Sequence, residues 1–432
     1  MDLKPTKPLS GFVELLPAAQ RCFDACAARM LHVLRMAGFS VLDLPAIERA
    51  EVLTDKDNWD EIETQMFLFQ KGDTKMGLRY DGTVGLARYV AGHLNDLVFP
   101  FRAGQFSKRY RGERAQRGRY REFYQMDLDI MGINSLSTNY DAEIISVIHR
   151  ALDSVREYIG PAAVHVGSRP FWDALFEYME LSAAQKKEVF VLIDKKDKMD
   201  DDDFYAGLHD ALNDADKESL VRDVFENGFA GLAGRSEQLT AAADELTRFM
   251  RTLREMGVTN AEIDLSITRG LAYYTGLVFE FKLLEHPELG TAAGGGRYAD
   301  LAGKFSKTKI IGVGAAIGFS RIFWALLEGG KIDLARFGRP VRAAVLVMGD
   351  ENLGYAMRLV AQLRAADIVA VPYLDTEKKF KNQIEFANKI GAEYSLIIGS
   401  DEAAQQMVAV KNMETGTQEL VAYDMVIEKI KK

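Results

Sequence analysis

Residues 108–121 read KRYRGERAQRGRYR, and seven of these fourteen are lysine or arginine against one acid, Glu113. The chain as a whole carries a formal net charge of −9. Taken alone that argues against nucleic-acid binding, so where the positive charge is concentrated matters more than the total. Strand alternation places Arg109 and Arg111 on one face of an incoming strand, and Arg119 and Arg121 on one face of an outgoing one. Gly112 and Gly118 bracket a mobile turn between them. Guanidinium forks suit phosphate, and the neighbouring Tyr120 and Phe123 offer flat platforms for a base. The density of arginine and the interleaved aromatics exceed what solubility requires, and predict a site for a phosphorylated ligand.

Other groups point less sharply to chemistry. Cys22 and Cys26 stand four apart on an expected helix. No second cysteine or histidine pair has metal-ligand spacing, so buried thiols are expected and a zinc site is not. The six histidines are scattered and form no triad. The run DKKDKMDDDD at 194–203 ends in the acidic cluster Asp200–Asp203. It could hold a cation, but no glycine-spaced calcium loop surrounds it, and a solvated loop and helix start is expected. KIIGVGAAIGFSRI at 309–322 reads as strand, glycine turn and helix, which would suit a dinucleotide only inside a parallel βαβ unit.

The basic segment resembles motif 2 of class II aminoacyl-tRNA synthetases in the form seen in histidyl-tRNA synthetases: Arg111-x-Glu113, a loop, then GRYREFYQ at 118–125. GFVELLP at 11–17 resembles the opening of that family. Gly38 to Glu48, with Pro45, resembles the dimer-forming motif 1. LRYDGT at 78–83 resembles the amino-acid-binding strand and turn. RGLAYYTG at 269–276 and AAGGGRY at 292–298 resemble two signatures specific to the histidine enzymes, and GVGAAIGFSR at 312–321 resembles motif 3. The resemblance spans nearly the whole chain.

It implies ligation of L-histidine to tRNA(His) at the expense of ATP, through a histidyl-adenylate, releasing AMP and pyrophosphate. Arg111 would hold the α-phosphate, with Arg269 opposite it. Adenine would lie between Phe123 and Arg321, with Glu113 orienting the nucleotide and Mg2+ bridging the β- and γ-phosphates. Asp81, Thr83 and Gln125 would take the histidine ammonium. Asp129 and Tyr274 would take the imidazole, with Tyr273 beside them. An extra guanosine at the end of the acceptor stem would be met by the motif 2 loop, with Arg114 and Gln116 on the terminal base pair and Arg117 on backbone charge. Asp81 and Asp129 replace the commoner glutamates, which resembles one branch of the family; Ala272 and Ser320 replace frequent acids. The paralogous alternative is the regulatory subunit of ATP phosphoribosyltransferase, which usually lacks the C-terminal domain and has degraded catalytic signatures. A module that only senses uncharged tRNA would not need an intact ATP site.

Elements must position these groups. At 432 residues the chain is too long for one ordinary core. Residues 18–37 read as an amphipathic helix carrying Phe23, Met30, Leu31, Leu34 and Met36, stopped by Gly38. Pro45 marks an extended or edge stretch. Alternation at 65–70, 76–80, 105–111 and 121–132 predicts antiparallel strands, and 141–158 a helix. Strand patterns resume at 262–267 and 277–283, before a glycine-rich stretch at 290–296 and a strand and helix over 308–327. From 341 the pattern is βαβαβ, a small α/β unit with a parallel sheet. The expected fold class is α+β: an antiparallel-sheet class II synthetase catalytic domain over 1–330 with a helical insertion at about 170–255, a linker at 331–341, and an α/β anticodon-binding domain over 342–432. No stretch suits a membrane span, and MDLKPTKPLS lacks the apolar core of a secretory signal. A cytoplasmic homodimer is expected.

Overall fold

The computed structural model describes residues 5–54, 64–116, 118–196, 199–232, 234–267, 274–299, 302–334 and 341–431. The chain divides into two compact units, Met1–Ile332 and Asp333–Lys432.

Among the described residues the first unit contributes eleven strands: β1 (Ser40–Leu42), β2 (Ile47–Arg49), β3 (Leu68–Lys71), β4 (Thr74–Leu78), β5 (Phe101–Tyr110), β6 (Glu122–Ile133), β7 (Ala162–Ser168), β8 (Ala261–Ile263), β9 (Tyr274–Leu283), β10 (Thr291–Tyr298) and β11 (Ile310–Ile317). Eight of them form one sheet in the order β1-β5-β6-β11-β10-β9-β7-β8, while β2, β4 and β3 form a small second sheet. Every pairing in the large sheet is antiparallel except β1 with β5 and β7 with β8, at its two edges. Because β11 runs antiparallel to both β6 and β10, the glycine-rich 309–322 segment is not a dinucleotide-binding βαβ turn.

Alternation sorts β5 and β6 into two faces. Phe106 and Tyr124 point one way, into an aromatic cluster with Phe23 of the helix Pro17–Met36 and Phe319 of the helix Phe319–Glu328. Pro17 suits the first turn of its helix, where a backbone donor is dispensable. That helix ends before Gly38, whose φ of +78° is the left-handed conformation glycine adopts without strain. Cys22, Phe23, Cys26, Met30 and Leu34 are buried along it, whereas Met36 is exposed. Burial pushes the Cys22 thiol up to about 12, as befits an inert core cysteine.

The region after β7 is helical, with Arg169–Tyr178, Ala183–Lys195, Asp201–Leu212, Ala215–Asn227 and Glu237–Glu255. Its acidic run is a helix start: the Asp200 carboxylate accepts from the Asp203 amide at 2.9 Å, and Asp201, Asp202 and Asp203 occupy the first turn, where the helix dipole favours anions. Among the described residues no group of three or more His, Cys, Asp or Glu could hold a metal ion, and no helix is long and apolar enough to cross a membrane.

The second unit contains β12 (Ala343–Val347), β13 (Ala370–Tyr373), β14 (Tyr394–Ile398), β15 (Met407–Asn412) and β16 (Gln418–Ala422) in the order β13-β12-β14-β15-β16. The first three are parallel, as the βαβαβ pattern predicts. The last two are antiparallel additions, so the sheet is mixed.

Candidate active site

The seven basic residues of 108–121 have different fates. Lys108 pairs with Glu122 at 2.7 Å on the helix-facing side. Arg109 is fully buried and ion-paired with Asp127. It is therefore not a solvent-facing phosphate ligand, although it shares a strand face with Arg111. Arg121 donates to the backbone carbonyl of Glu113 at 3.1 Å, and its own amide donates to Gly11, fastening the chain's opening segment to the outgoing strand. Arg114 and Arg119 are exposed, and Arg117 lies outside the described residues. Gln116 and Arg119 close a tight turn through reciprocal backbone hydrogen bonds of 3.0 and 2.8 Å, with Gly118 at φ +74°. Arginine 119 thus belongs to the loop, and the regular strand begins only at Glu122.

That leaves Arg111 to enter the cleft. Its guanidinium lies 4.5 Å from the ring centroid of Tyr80 and 5.2 Å from that of Phe123, which hold the fork between two aromatic faces. The cleft, about 340 Å³, is lined by Arg111, Glu113, Phe123, Gln125 and Arg321 together with small residues of β10. Phe123 and Arg321, expected to flank a base, thus share one cavity. Ser320, where an acid is frequent, is buried and accepts the amide of Tyr124 at 2.8 Å. This bond ties the start of the Arg321 helix to the strand bearing Phe123, so the departure has a positioning role.

The rest of the ligand face comes from register. Asp127, Asp129 and Met131 of β6 stand opposite Ala316, Gly314 and Gly312 of β11, which stand opposite Gly294, Gly296 and Tyr298 of β10. The glycine-rich stretch is therefore a strand, and its small residues make a floor. A β-carbon at Gly314 would overlap the Asp129 carboxylate, and one at Gly312 would overlap the Tyr298 ring. One at Gly296 would lie 3.0 Å from the Tyr274 ring. Glycine, elsewhere a reason to doubt a strand, is here what lets side chains lie flat across it.

On this floor the Tyr298 hydroxyl donates to Asp129 Oδ1 at 2.8 Å, with both residues buried. Burial, reinforced by the carboxylates of Asp127 and Asp81, pushes Asp129 up to about 8 despite that bond. Asp81 is also raised, chiefly by burial. Its Oδ1 accepts the amides of Thr83 and Val84, both at 3.1 Å, at the start of the helix Thr83–Gly92. Gln105, buried on β5, holds this turn by donating to the Gly82 carbonyl at 3.0 Å. Asp81, Thr83, Gln125, Asp129 and Tyr274 thus meet along one ligand face that ends in the cleft. Arg269 and Tyr273, and Ala272 between them, lie outside the described residues.

Sequence reasoning missed Tyr298, Gln105 and Arg79. Tyr298 stands in AAGGGRY, and its chain neighbour Arg297 makes a buried bidentate pair with Asp141 at 3.0 and 2.6 Å that locks β10 to the helix Asn139–Asp153. Arg79 is buried and donates to the carbonyls of Lys108 and Leu44 at 2.7 and 2.6 Å, carrying the LRYDGT turn on β5.

A largely antiparallel sheet whose open face runs from buried carboxylates to an arginine-bearing cleft, with one arginine from a strand–loop–strand and another from a strand–helix, is the arrangement of a class II aminoacyl-tRNA synthetase. The histidyl-tRNA synthetase family model matches residues 11–322, and an anticodon-binding domain model matches 342–432. The histidine–tRNA ligase of Clostridium tetani is 36% identical, over 100% of this chain and 99% of that one. The same enzyme of Stenotrophomonas maltophilia is 36% identical, over 95% and 94%. The crystal structure of a Nostoc histidyl-tRNA synthetase aligns with a TM-score of 0.87 at 30% identity, covering 99% of each chain. A Bacillus halodurans structure described as an ATP phosphoribosyltransferase regulatory subunit/histidyl-tRNA synthetase aligns at 0.72 with 21% identity, over 89% of this chain and 97% of that one, a likeness of fold alone. The chain belongs to the histidyl-tRNA synthetase family.

Proposed function

We propose that the protein activates L-histidine with ATP and transfers it to tRNA(His). The observation that carries this reading is the single ligand face on which Asp81, Gln125, Asp129 and Tyr298 lead into the cleft of Arg111, Phe123 and Arg321. The histidine carboxylate attacks the α-phosphorus of ATP in line, the bond to the bridging oxygen of pyrophosphate breaks, and histidyl-adenylate forms. Both reactants are anions, so catalysis is mostly positioning and cancellation of charge. Arg111, held between two rings, meets the α-phosphate, and Arg269 approaches from the other side. Adenine stacks between Phe123 and Arg321. The ammonium sits against Asp81, Thr83 and Gln125. The imidazole meets Asp129, whose other oxygen Tyr298 occupies, and Tyr274, with Tyr273 alongside. A side chain unable to satisfy these buried polar groups is rejected strongly.

Magnesium would enter with ATP and supply positive charge to its phosphates, with Glu113 the residue that would hold it. Glu113 is the carboxylate lining the cleft, and one carboxylate with water and phosphate oxygens is a donor set magnesium accepts. In the second step the tRNA terminal hydroxyl attacks the adenylate carbonyl and AMP leaves. The exposed Arg114 and Gln116, with Arg117, face the acceptor stem. The protein works in the cytoplasm as a homodimer built on the helix Pro17–Met36 and the strand after it. The exposed Leu16 and Met36 at the ends of that helix support this pairing, and a monomeric mass at micromolar concentration with full activity would refute it.

ATP–pyrophosphate exchange with each of the twenty amino acids tests the reading. Exchange is expected with histidine alone; exchange with none, or with another amino acid instead, overturns it.

A further inference from the structure

Beneath the ammonium end of this face lies an ion pair that the reaction as described does not use. Arg109 is fully buried, and Asp127 is only 3% exposed. Asp127 Oδ2 accepts from Arg109 Nη2, and its Oδ1 accepts from Gln125 Nε2 at 2.7 Å. Arg109 is fixed in turn, since its Nη1 donates to Ser107 Oγ at 2.7 Å and to the Lys108 carbonyl at 3.2 Å. The pair also touches the other ammonium-holding element, because a β-carbon at Gly82 would overlap both Arg109 and Asp127.

We propose that the Arg109–Asp127 pair is a positioning device that sets which end of the Gln125 amide faces the substrate, and so makes the pocket select an ammonium. The inference rests on the reading that Gln125 meets the histidine amine. A carboxylate only accepts hydrogen bonds, so it takes the amide's NH2 end and turns Gln125 Oε1 outward as an acceptor. An ammonium only donates, so this orientation fits it and the reverse would set donor against donor. Arg109 is needed for the logic as well as the charge. A guanidinium also only donates, so whatever stands at 127 must give it an acceptor first.

That hierarchy yields a test a merely structural pair would fail. In Asp127→Asn the single carbonyl oxygen is claimed by Arg109, the new NH2 points at Gln125, and the glutamine flips to present its own NH2 to the ammonium. Adding Arg109→Met releases the asparagine to turn its oxygen back to Gln125. In histidine-dependent ATP–pyrophosphate exchange, Asp127→Asn is expected to raise the KM for histidine by roughly tenfold to a hundredfold, the scale of a hydrogen bond to a charged group. The KM for ATP should stay within about threefold, and Arg109→Met with Asp127→Asn should recover most of the loss. The competitor 3-(imidazol-4-yl)propanoate, which has no amine, should inhibit all these proteins alike.

Asp127→Asn leaves a buried guanidinium without its anion and can fail to fold. In that event Arg109→Met/Asp127→Asn is compared with Arg109→Met/Asp127→Leu. Neither buries an unpaired charge, and only the first keeps an acceptor for Gln125, so the second should have the higher histidine KM. Equal histidine KM values in those two proteins would overturn the proposal, as would parallel weakening of histidine and the amine-free competitor. Absence of histidine-dependent exchange in the unaltered enzyme would instead overturn the functional reading beneath it.

Discussion

At the cleft end of the ligand face the charged groups are half-exposed and mostly cationic: Arg111 is clasped by two rings and Arg321 reaches over β10, with the single carboxylate of Glu113 beside them. At the other end they are largely buried carboxyl groups, with Arg109 as their buried cation. Asp127 and Asp129 are nearly inaccessible, and Asp81 is a carboxyl raised by burial. Both ends lie on the same strands, yet they solve opposite problems. A nucleotide arrives heavily charged and hydrated, and arginine is a weakly hydrated cation that can meet it without being sealed away. An amino acid must be chosen by its side chain, and selection needs polar groups out of water whose dissatisfaction is costly. On the proposed function the difference separates what each end would control: the cleft the rate, and the carboxylate end the identity of the amino acid.

Removing Arg111 tests the first half. Arg111→Ala should lower the exchange rate by about a hundredfold to a thousandfold, because the group acts where charge develops during transfer. Histidine binding measured by calorimetry should stay within about twofold, since the contact lies outside the amino-acid pocket. Comparable losses in rate and in histidine affinity would show that the two ends are not separable.

Gly314→Ala attacks the other end without altering any charge. The added methyl would take the place of the Asp129 carboxylate oxygen that receives the Tyr298 hydroxyl. The carboxyl must turn away, and overpacking a site of this kind costs about 1–3 kcal/mol. The KM for histidine should rise by about tenfold or more while that for ATP holds, since about 1.4 kcal/mol is tenfold. An unchanged histidine KM would mean that the glycine floor does not shape the pocket.

The buried carboxyl also leaves a signature in stability. Asp129 titrates at about 8 in the fold against an ordinary value of 3.8. Between those values the folded state holds a proton that the unfolded state has lost, so this group's contribution to stability falls as pH rises across that window and is constant on either side. Asp129→Asn keeps the shape and an acceptor for Tyr298 but removes the titration. The melting temperature of the unliganded variant minus that of the unaltered protein should therefore grow by a few degrees from about pH 5 to pH 8 and then level off. A difference that stays flat from pH 5 to pH 9 would place the carboxyl in a wetter setting.

The two ends also differ in how far they could be read from the sequence. Arg111 and Phe123 stood out because a cationic cluster beside aromatics is a local pattern, whereas Arg321 was reached through the resemblance of 312–321 to motif 3, and the cleft brings all three together. The largely antiparallel sheet was visible for the same reason, in the alternation of 105–111 and 121–132. The carboxylate end was reached only through resemblance, since Asp81 and Asp129 follow no spacing rule. Tyr298 went unread because its role exists only when β10 and β11 are in register, and glycines gave the former the look of a loop. Arg109 shows the reverse error. Composition placed it among the phosphate-facing arginines, whereas Asp127, eighteen residues away, holds it in the core. β7 was missed because Ala162, Ala163 and Gly167 dilute its apolar alternation, and the helix Thr83–Gly92 because its start is set by Asp81, a residue that reads as a ligand.

The smallest expected effect lies beyond both ends, on the loop that leads out of the cleft. Gln116 is exposed, and its backbone closes the turn with Arg119, so its side chain projects from a defined backbone into solvent. An amide offers a donor and an acceptor together, which suits a base edge, whereas a lone arginine nearby is as well matched to phosphate. The resemblance to the histidine enzymes implies that this loop reads an extra guanosine at the end of the acceptor stem. If it does, the reading is separable from activation, because Gln116 does not line the cleft. Gln116→Ala should leave histidine-dependent exchange within about twofold of normal. The preference for tRNA carrying the extra guanosine over tRNA lacking it should shrink by roughly fivefold to a hundredfold, the worth of one base contact at 1–3 kcal/mol. The measurement is aminoacylation of the two transcripts side by side. Full discrimination by the variant would move recognition to another surface. A loss of exchange would join the loop to the cleft end, and the division of labour along the sheet would have to be redrawn.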